Sequence, residues 1–138
     1  MSYFDQYLVS RVLSASPVEL VRLIYKGALD ATAAARQHFA TGNIAARTRC
    51  LNQAVALVTE LVTSLECPPS SEGKSLERNL RRLYDYALYQ ITQAVVEQSP
   101  APLDHTDAIL RELLEGWQAI ETNEPADDYE PAAISVSA

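Results

Sequence analysis

The segment SPVELVRLIYKGALDATAAARQHFATGN, residues 16–43, contains both ends of one predicted helix. At its start, Ser16 can cap the helix, Pro17 suits the first helical position, and Glu19 completes a capping box. Five apolar residues then recur at helical spacing: Val21, Ile24, Ala28, Ala35 and Phe39. The segment therefore predicts an amphipathic helix about 37 Å long.

The same segment ends with a helix stop followed by a restart. Gly42 can adopt the left-handed conformation that closes a helix, and Asn43 can cap the next one. Prolines and capping residues, such as Asp104 before the last segment, divide the rest of the chain. The predicted helices cover roughly residues 17–41, 43–67, 73–98 and 104–122. Because their connections are short, the predicted fold is all-α, an antiparallel up-down four-helix bundle.

Length and charge indicate one domain with two flanking segments. The chain has 138 residues, 48% of them apolar, and a net charge of −7. We expect an apolar N-terminal segment (1–15), a four-helix bundle (16–122) and an acidic, disordered, solubilising tail (123–138). The acidic balance argues against binding to nucleic acid, and the apolar runs are too short for membrane insertion. With no secretory signal, the protein is expected in the cytoplasm.

Residue types that would support catalysis are sparse. His38 and His105 lack a second metal ligand at helical spacing, and no glycine-rich phosphate loop occurs. We therefore expect neither enzyme activity nor a cofactor. Cys50 and Cys67 are expected to be reduced thiols. The densest basic cluster is predicted to be a solvated helix face: Lys74, Arg78, Arg81 and Arg82.

The number of apolar residues on two of the predicted helices indicates more about function than the catalytic residue types do, because it exceeds what one core-facing stripe needs. The second helix has two adjacent apolar rows, one of which contains Leu57 and Leu61. On the third helix, Tyr86, Tyr89 and Val96 share an outer face beside the predicted core row. That core row is expected to contain Leu76, Leu80, Leu83, Ala87, Ile91 and Ala94. The surplus predicts an uncovered strip that binds a partner, unless the N-terminal segment covers it or the bundle is merely well filled.

Two strings of residues are similar to those of a known family. Residues 14–29, SASPVELVRLIYKGAL, resemble the first-helix motif of FliS, the bacterial flagellin export chaperone. Residues 79–86, NLRRLYDY, resemble its third-helix motif. The resemblance implies a cytoplasmic four-helix bundle that binds the C-terminal segment of flagellin. It further implies that the bundle prevents premature flagellin polymerisation and aids export by the flagellar type III apparatus.

The partner-binding residues that we expect lie in the leader, the second helix and the third helix. They are Tyr3, Tyr7, Leu57, Leu61, Tyr86, Tyr89 and Val96. The free protein is expected to be a monomer or a weak dimer. Two other functions remain open: a helical adaptor for another exported or filament-forming protein, and a histidine phosphotransfer bundle. The second needs an exposed histidine in mid-helix, whereas His38 falls in the last turn of its predicted helix.

Overall fold

The computed structural model describes the backbone of residues 17–65 and 69–123, and the side chains of 19–65 and 69–119. Within these ranges the chain forms four α-helices. They are α1 (Pro17–Thr41), α2 (Ile44–Thr63), α3 (Ser71–Glu97) and α4 (Leu103–Asn123). Both α1 and α3 pack against α2 and α4, so the helices form a closed ring. The predicted all-α four-helix bundle is thus confirmed.

Neighbouring helices run antiparallel. Between α1 and α4, Trp117 pairs with Tyr25 and Asp107 pairs with Thr32. Residue numbers therefore fall along one helix as they rise along the other. The remaining neighbours are joined by connections too short for a parallel crossover, namely residues 42–43, 64–70 and 98–102. The topology is up-down-up-down, as predicted.

The predicted stop and restart between α1 and α2 is confirmed. Gly42 has a φ of +74°, in the left-handed region, where the absence of a side chain removes the steric cost. The Asn43 side-chain oxygen caps α2 by accepting a hydrogen bond from the Ala46 N–H at 3.1 Å. The Arg47 guanidinium lies 4.5 Å from the centroid of the Phe39 ring and closes the turn with a cation–π contact.

Two other helix ends differ from the predicted ones. α2 ends at Thr63, earlier than expected: the Ser64 N–H makes the last helical bond, to the Glu60 carbonyl, and the Leu65 N–H donates to Val62 three residues back instead of four. α3 begins earlier than expected, because the Ser70 hydroxyl oxygen accepts a hydrogen bond from the Gly73 N–H at 3.0 Å. The start of α3 is therefore set by an N-cap side chain. Ser16, the predicted cap of α1, lies outside the described residues.

The connection between α3 and α4 was also predicted incompletely. Gln98 ends α3 in the left-handed conformation, with a φ of 52°, which is uncommon for a residue other than glycine. α4 then begins at Leu103, so the predicted cap Asp104 lies within its first turn instead. There Asp104 accepts a hydrogen bond from Arg36 of α1 at 2.8 Å. The acidic side chain also suits the positive end of the α4 dipole.

A buried polar network ties three helices together at the centre of the bundle. The hydroxyls of Tyr25 and Tyr84, on the diagonal helices α1 and α3, lie 2.6 Å apart, and both residues are buried. The Trp117 indole N–H of α4 donates to the Tyr25 hydroxyl at 3.2 Å. Burial raises the pKa of Tyr25, although its hydrogen bonds to Tyr84 and Trp117 oppose that shift. The hydroxyl is therefore protonated at neutral pH.

Tyr84 determines which face of α3 is buried. Leu76 and Leu83 were predicted in the core row, but both are exposed, so that part of the prediction is wrong. The buried row is Gly73, Leu80, Tyr84, Ala87, Ile91 and Ala94. Tyr84 takes the inward position in place of Leu83 because its hydroxyl meets a buried partner in Tyr25. The rotation of α3 follows from that contact.

An ionic network joins α1 to α4. The Arg36 guanidinium pairs with the carboxylates of Asp107 and Asp104, and the Thr32 hydroxyl donates to Asp107 at 2.6 Å. The Asp107 side chain is only 5% exposed, whereas that of Asp104 is 75% exposed. Burial disfavours the charge of Arg36, but its hydrogen bonds to the two aspartates raise its pKa overall. The Arg36 guanidinium therefore stays charged. We call its pair with Asp107, the buried one of the two aspartates, the Arg36–Asp107 clamp.

Tyr25→Phe is expected to lower the free energy of unfolding by about 1–2 kcal/mol. The substitution leaves the Trp117 N–H without the hydroxyl to which it donates, in a region with little access to water. Urea denaturation followed by circular dichroism measures the change. Tyr89→Phe removes the same atom from an exposed ring and serves as the control. Equal shifts for the two variants would contradict a stabilising role for the central network.

Asp107→Ala is expected to destabilise the fold by about 2–3 kcal/mol, because it removes charged hydrogen bonds from a buried site. Asp104→Ala removes the other, exposed partner of Arg36 and should cost less than about 1 kcal/mol. Thermal melts of the two variants provide the comparison. If Asp104→Ala proved as damaging as Asp107→Ala, the assignment of the clamp to the buried aspartate would be wrong.

Candidate partner-binding surface

The outer side of α3 exposes a row of large apolar side chains. We call it the α3 apolar row: Leu76 (50% exposed), Leu83 (38%), Tyr86 (44%), Tyr89 (55%) and Val96 (67%). Successive members are three or seven residues apart, so the row winds about 160° around the helix from Leu76 to Val96, with Tyr86, Tyr89 and Val96 within about 80° of one another. From first to last the row is about 30 Å long. Exposed apolar surface of this extent marks an interaction site more often than scattered single residues do.

The two tyrosines give the row a polar element. Tyr86 contacts the edge of the His105 ring in the first turn of α4, with ring centroids 6.4 Å apart and planes at 68°. This contact supports one side of the Tyr86 ring and leaves the rest of the residue exposed. Tyr89 lies one turn further along the same helix. Both rings combine an apolar body with a hydroxyl, a combination that suits a partially hydrated interface.

Burial energy indicates what the row can bind. Complete burial of a large apolar side chain contributes about 1.5–3 kcal/mol. Because the five side chains are roughly half exposed, a partner could gain about 1 kcal/mol from each before the costs of ordering. The length of the row matches that of an amphipathic helix of about 20 residues. An elongated, apolar ligand would match the length and composition of the row.

Three predicted site residues, Tyr86, Tyr89 and Val96, are exposed along one side of α3. The expected exposure of Leu57 and Leu61 was wrong, since they are 8% and 4% exposed and belong to the core. α2 packs against α1 on one side and α3 on the other, so each of its two apolar rows meets a neighbour. A helix with two neighbours needs more apolar surface than one stripe provides.

Tyr3 and Tyr7 lie outside the described residues, as do the rest of the predicted N-terminal segment, Cys67, and residues 124–138. The predicted roles of the two leader tyrosines and the predicted disorder of the tail stay predictions. The expected domain boundaries stay predictions as well.

Sequence reasoning missed Leu76 and Leu83 as members of the exposed row. A usable signal was present in the spacing of the residues that are buried instead, Leu80, Tyr84, Ala87, Ile91 and Ala94. The spacing between these residues alternates between four and three without interruption, which is the regular pattern of a packed bundle helix. Placing Tyr84 inside that pattern moves Leu83 to the outside.

Sites for other chemistry are not evident in the described chain. Across residues 17–65 and 69–123, no three His, Cys, Asp or Glu side chains are grouped so that they could hold a metal ion. Within the same ranges, no helix combines the length and hydropathy needed to cross a bilayer. His38 is half-buried in the last turn of α1, which does not favour a phosphotransfer histidine in mid-helix.

Comparison with known proteins identifies the family. The family model described as flagellar protein FliS matches residues 1–124. The chain belongs to the FliS family. This confirms the resemblance carried by the motifs at residues 14–29 and 79–86. Relatives of this chain are named flagellar secretion chaperones.

Three relatives illustrate the similarity. The flagellar secretion chaperone FliS of Vibrio cholerae is 30% identical over 111 residues, which cover 80% of this chain and 79% of that protein. The FliS of Salmonella typhimurium is 27% identical over 120 residues, or 86% and 87% of the two chains. The flagellar secretion chaperone FliSB of Pseudomonas aeruginosa is 29% identical over 121 residues, or 87% and 94%.

Aspartate substitutions distinguish the buried leucines from the exposed row. Leu57→Asp should destabilise the FliS-family bundle by more than about 3 kcal/mol, because it places a charge in the core. Tyr89→Asp should change stability by less than about 1 kcal/mol, because the site is exposed. Thermal melts followed by circular dichroism give both values. A cooperative, unshifted melt for Leu57→Asp would show that Leu57 is not a core residue.

Proposed function

We propose that this protein is a cytoplasmic chaperone that binds the C-terminal segment of flagellin and prevents its premature polymerisation. It then supports delivery of flagellin to the flagellar type III export apparatus. It acts by binding and not by catalysis, and it needs no cofactor. Membership of the FliS family supports this proposal, as do relatives whose names include secretion chaperone.

The exposed α3 apolar row is the observation that carries the proposal. A filament protein must be kept from pairing with other copies before export, so a chaperone has to cover the apolar face of its client. The row offers apolar anchors over about 30 Å on a rigid helix. A client segment that orders only on binding loses part of the gain to entropy, which keeps affinity modest and release feasible.

The predicted contributions of the other residues take different forms. Leu57 and Leu61 support binding by packing in the core, where α2 positions its neighbour α3. Tyr3 and Tyr7 in the leader remain part of the proposal as residues that contact the client. Direct contact along the described helices is assigned to Tyr86, Tyr89 and Val96, together with Leu76 and Leu83.

Isothermal titration calorimetry with a peptide of the last few dozen residues of flagellin tests the proposal. The double variant Tyr89→Ser/Val96→Ser should bind the peptide at least about tenfold more weakly, because it removes two exposed anchors. Its melting temperature should be close to that of the unmodified protein, since both residues lie outside the core. Binding and folding are thereby measured separately.

Ile44→Ser provides a matched control. Ile44 is as exposed as the two row residues but belongs to a different helix, at the start of α2. Its substitution should leave peptide affinity unchanged. If the unmodified protein fails to bind the flagellin peptide but binds another exported or filament-forming protein, the adaptor function replaces the proposed one. If Ile44→Ser weakens binding as much as the double variant does, the row is not the binding surface.

A further inference from the structure

We propose that the acidic segment 124–138 docks on a basic stripe of α3. The stripe consists of four exposed cations: Lys74, Arg78, Arg81 and Arg82. This inference does not depend on the proposed function, because it concerns a contact within one chain. It assigns a defined binding surface to a tail that composition alone would treat as a solubilising segment.

The stripe concentrates positive charge on one helix. Lys74, Arg78 and Arg82 follow one another at four-residue intervals, so they share one side of α3 over about 12 Å. Arg81 pairs with Glu77 at 3.2 Å, but the other three cations form no salt bridge within the described residues. A shallow hollow opens among these side chains, lined by Lys74, Glu77, Arg78 and Arg81. Three cations therefore remain available for an acidic ligand.

The tail has the complementary charge. Residues 124–138 read EPADDYEPAAISVSA, with acids at Glu124, Asp127, Asp128 and Glu130 and no Lys, Arg or His. These acids occupy the first half of the segment, next to the end of α4. Single exposed ion pairs are weak, at about 0–1 kcal/mol each. Tethering raises the effective concentration of the tail to the millimolar range, so several weak pairs suffice for docking within one molecule.

The topology brings the tail to the stripe. Thr106 of α4 donates to the Ala87 carbonyl of α3 at 3.0 Å, and the two helices run antiparallel from that point. The last residue of α4, Asn123, therefore lies at the end of the bundle where α3 begins, about one helical turn from the level of Lys74. Fully extended, the chain from Asn123 to Glu130 reaches about 23 Å. Asp127 and Asp128 can thus reach the level of Lys74 and Arg78, and Glu130 can reach the level of Arg82.

Zero-length cross-linking with a carbodiimide tests the contact in the full-length chain. This reagent joins a lysine amine to a carboxylate in direct contact, and the chain has only two lysines, Lys26 and Lys74. Lys26 is exposed on α1, four residues from Asp30, and α1 begins at the same end of the bundle where α4 ends. Lys26 lies about 10–15 Å along the bundle from the level of Asn123, against about 6 Å for Lys74, so it serves as a distance reference. The dependence of the Lys74 product on salt and on the arginines tests the stripe itself.

The expected product joins Lys74 to the tail. At low salt, mass spectrometry should find Lys74 linked to Asp127, Asp128 or Glu130 at least about fivefold more often than Lys26. The preference should disappear in 1 M NaCl, where screening acts within about 3 Å. Arg78→Gln/Arg82→Gln should reduce the Lys74 product several-fold. Arg49→Gln/Arg111→Gln, which neutralises two exposed arginines elsewhere, should leave it unchanged.

Three results would overturn the proposal. Equal yields at Lys26 and Lys74 would mean that the tail has no preference for the stripe. An undiminished Lys74 product in Arg78→Gln/Arg82→Gln would mean that the stripe does not attract the tail. In a mixture of isotope-labelled and unlabelled protein, mixed-mass products would place the tail on a second copy. Melting temperatures of the variants confirm that each is folded when it is cross-linked.

Discussion

The hydrogen bond between the Tyr25 and Tyr84 hydroxyls is the constraint that orients this bundle. The two residues lie on diagonal helices, so both side chains must point to the bundle axis for the 2.6 Å contact to form. Both hydroxyls are buried, and a buried hydroxyl is more stable when it is hydrogen-bonded. With Tyr84 inward, Leu83 turns outward, so this member of the α3 apolar row is exposed as a result of a polar contact in the core.

The surface of α3 carries three distinct groups of side chains. Its inner row packs against the other helices, its apolar row is exposed along its length, and its cations are concentrated in its first half. The Arg36–Asp107 clamp lies between α1 and α4, away from these outer surfaces. Stability and surface chemistry therefore depend on different side chains, so the outer face of α3 can change without loss of the fold.

The accuracy of sequence reasoning varied with the range of the interaction involved. Gly42 and Asn43 were predicted correctly, because a helix stop and cap depend on adjacent residues. The exposure of Tyr86, Tyr89 and Val96 was also predicted correctly. The exposure of Leu57 and Leu61 was not, because apolar periodicity shows which residues share a face but not how many neighbours the helix has. The left-handed conformation of Gln98 was not predicted either, because glutamine, unlike glycine, does not indicate a positive φ.

Local chemistry along the chain was sufficient to specify four helices, their order, their antiparallel connections and the family to which they belong. It did not specify the rotation of α3. Steps from Leu80 through Leu83 or through Tyr84 to Ala87 are both compatible with a helix, although only the second continues the regular alternation of four and three residues. The choice between them depends on a hydroxyl 59 residues away in the sequence, on α1. Because that partner is adjacent only in the folded bundle, the exposed face of α3 is a property of the packed structure.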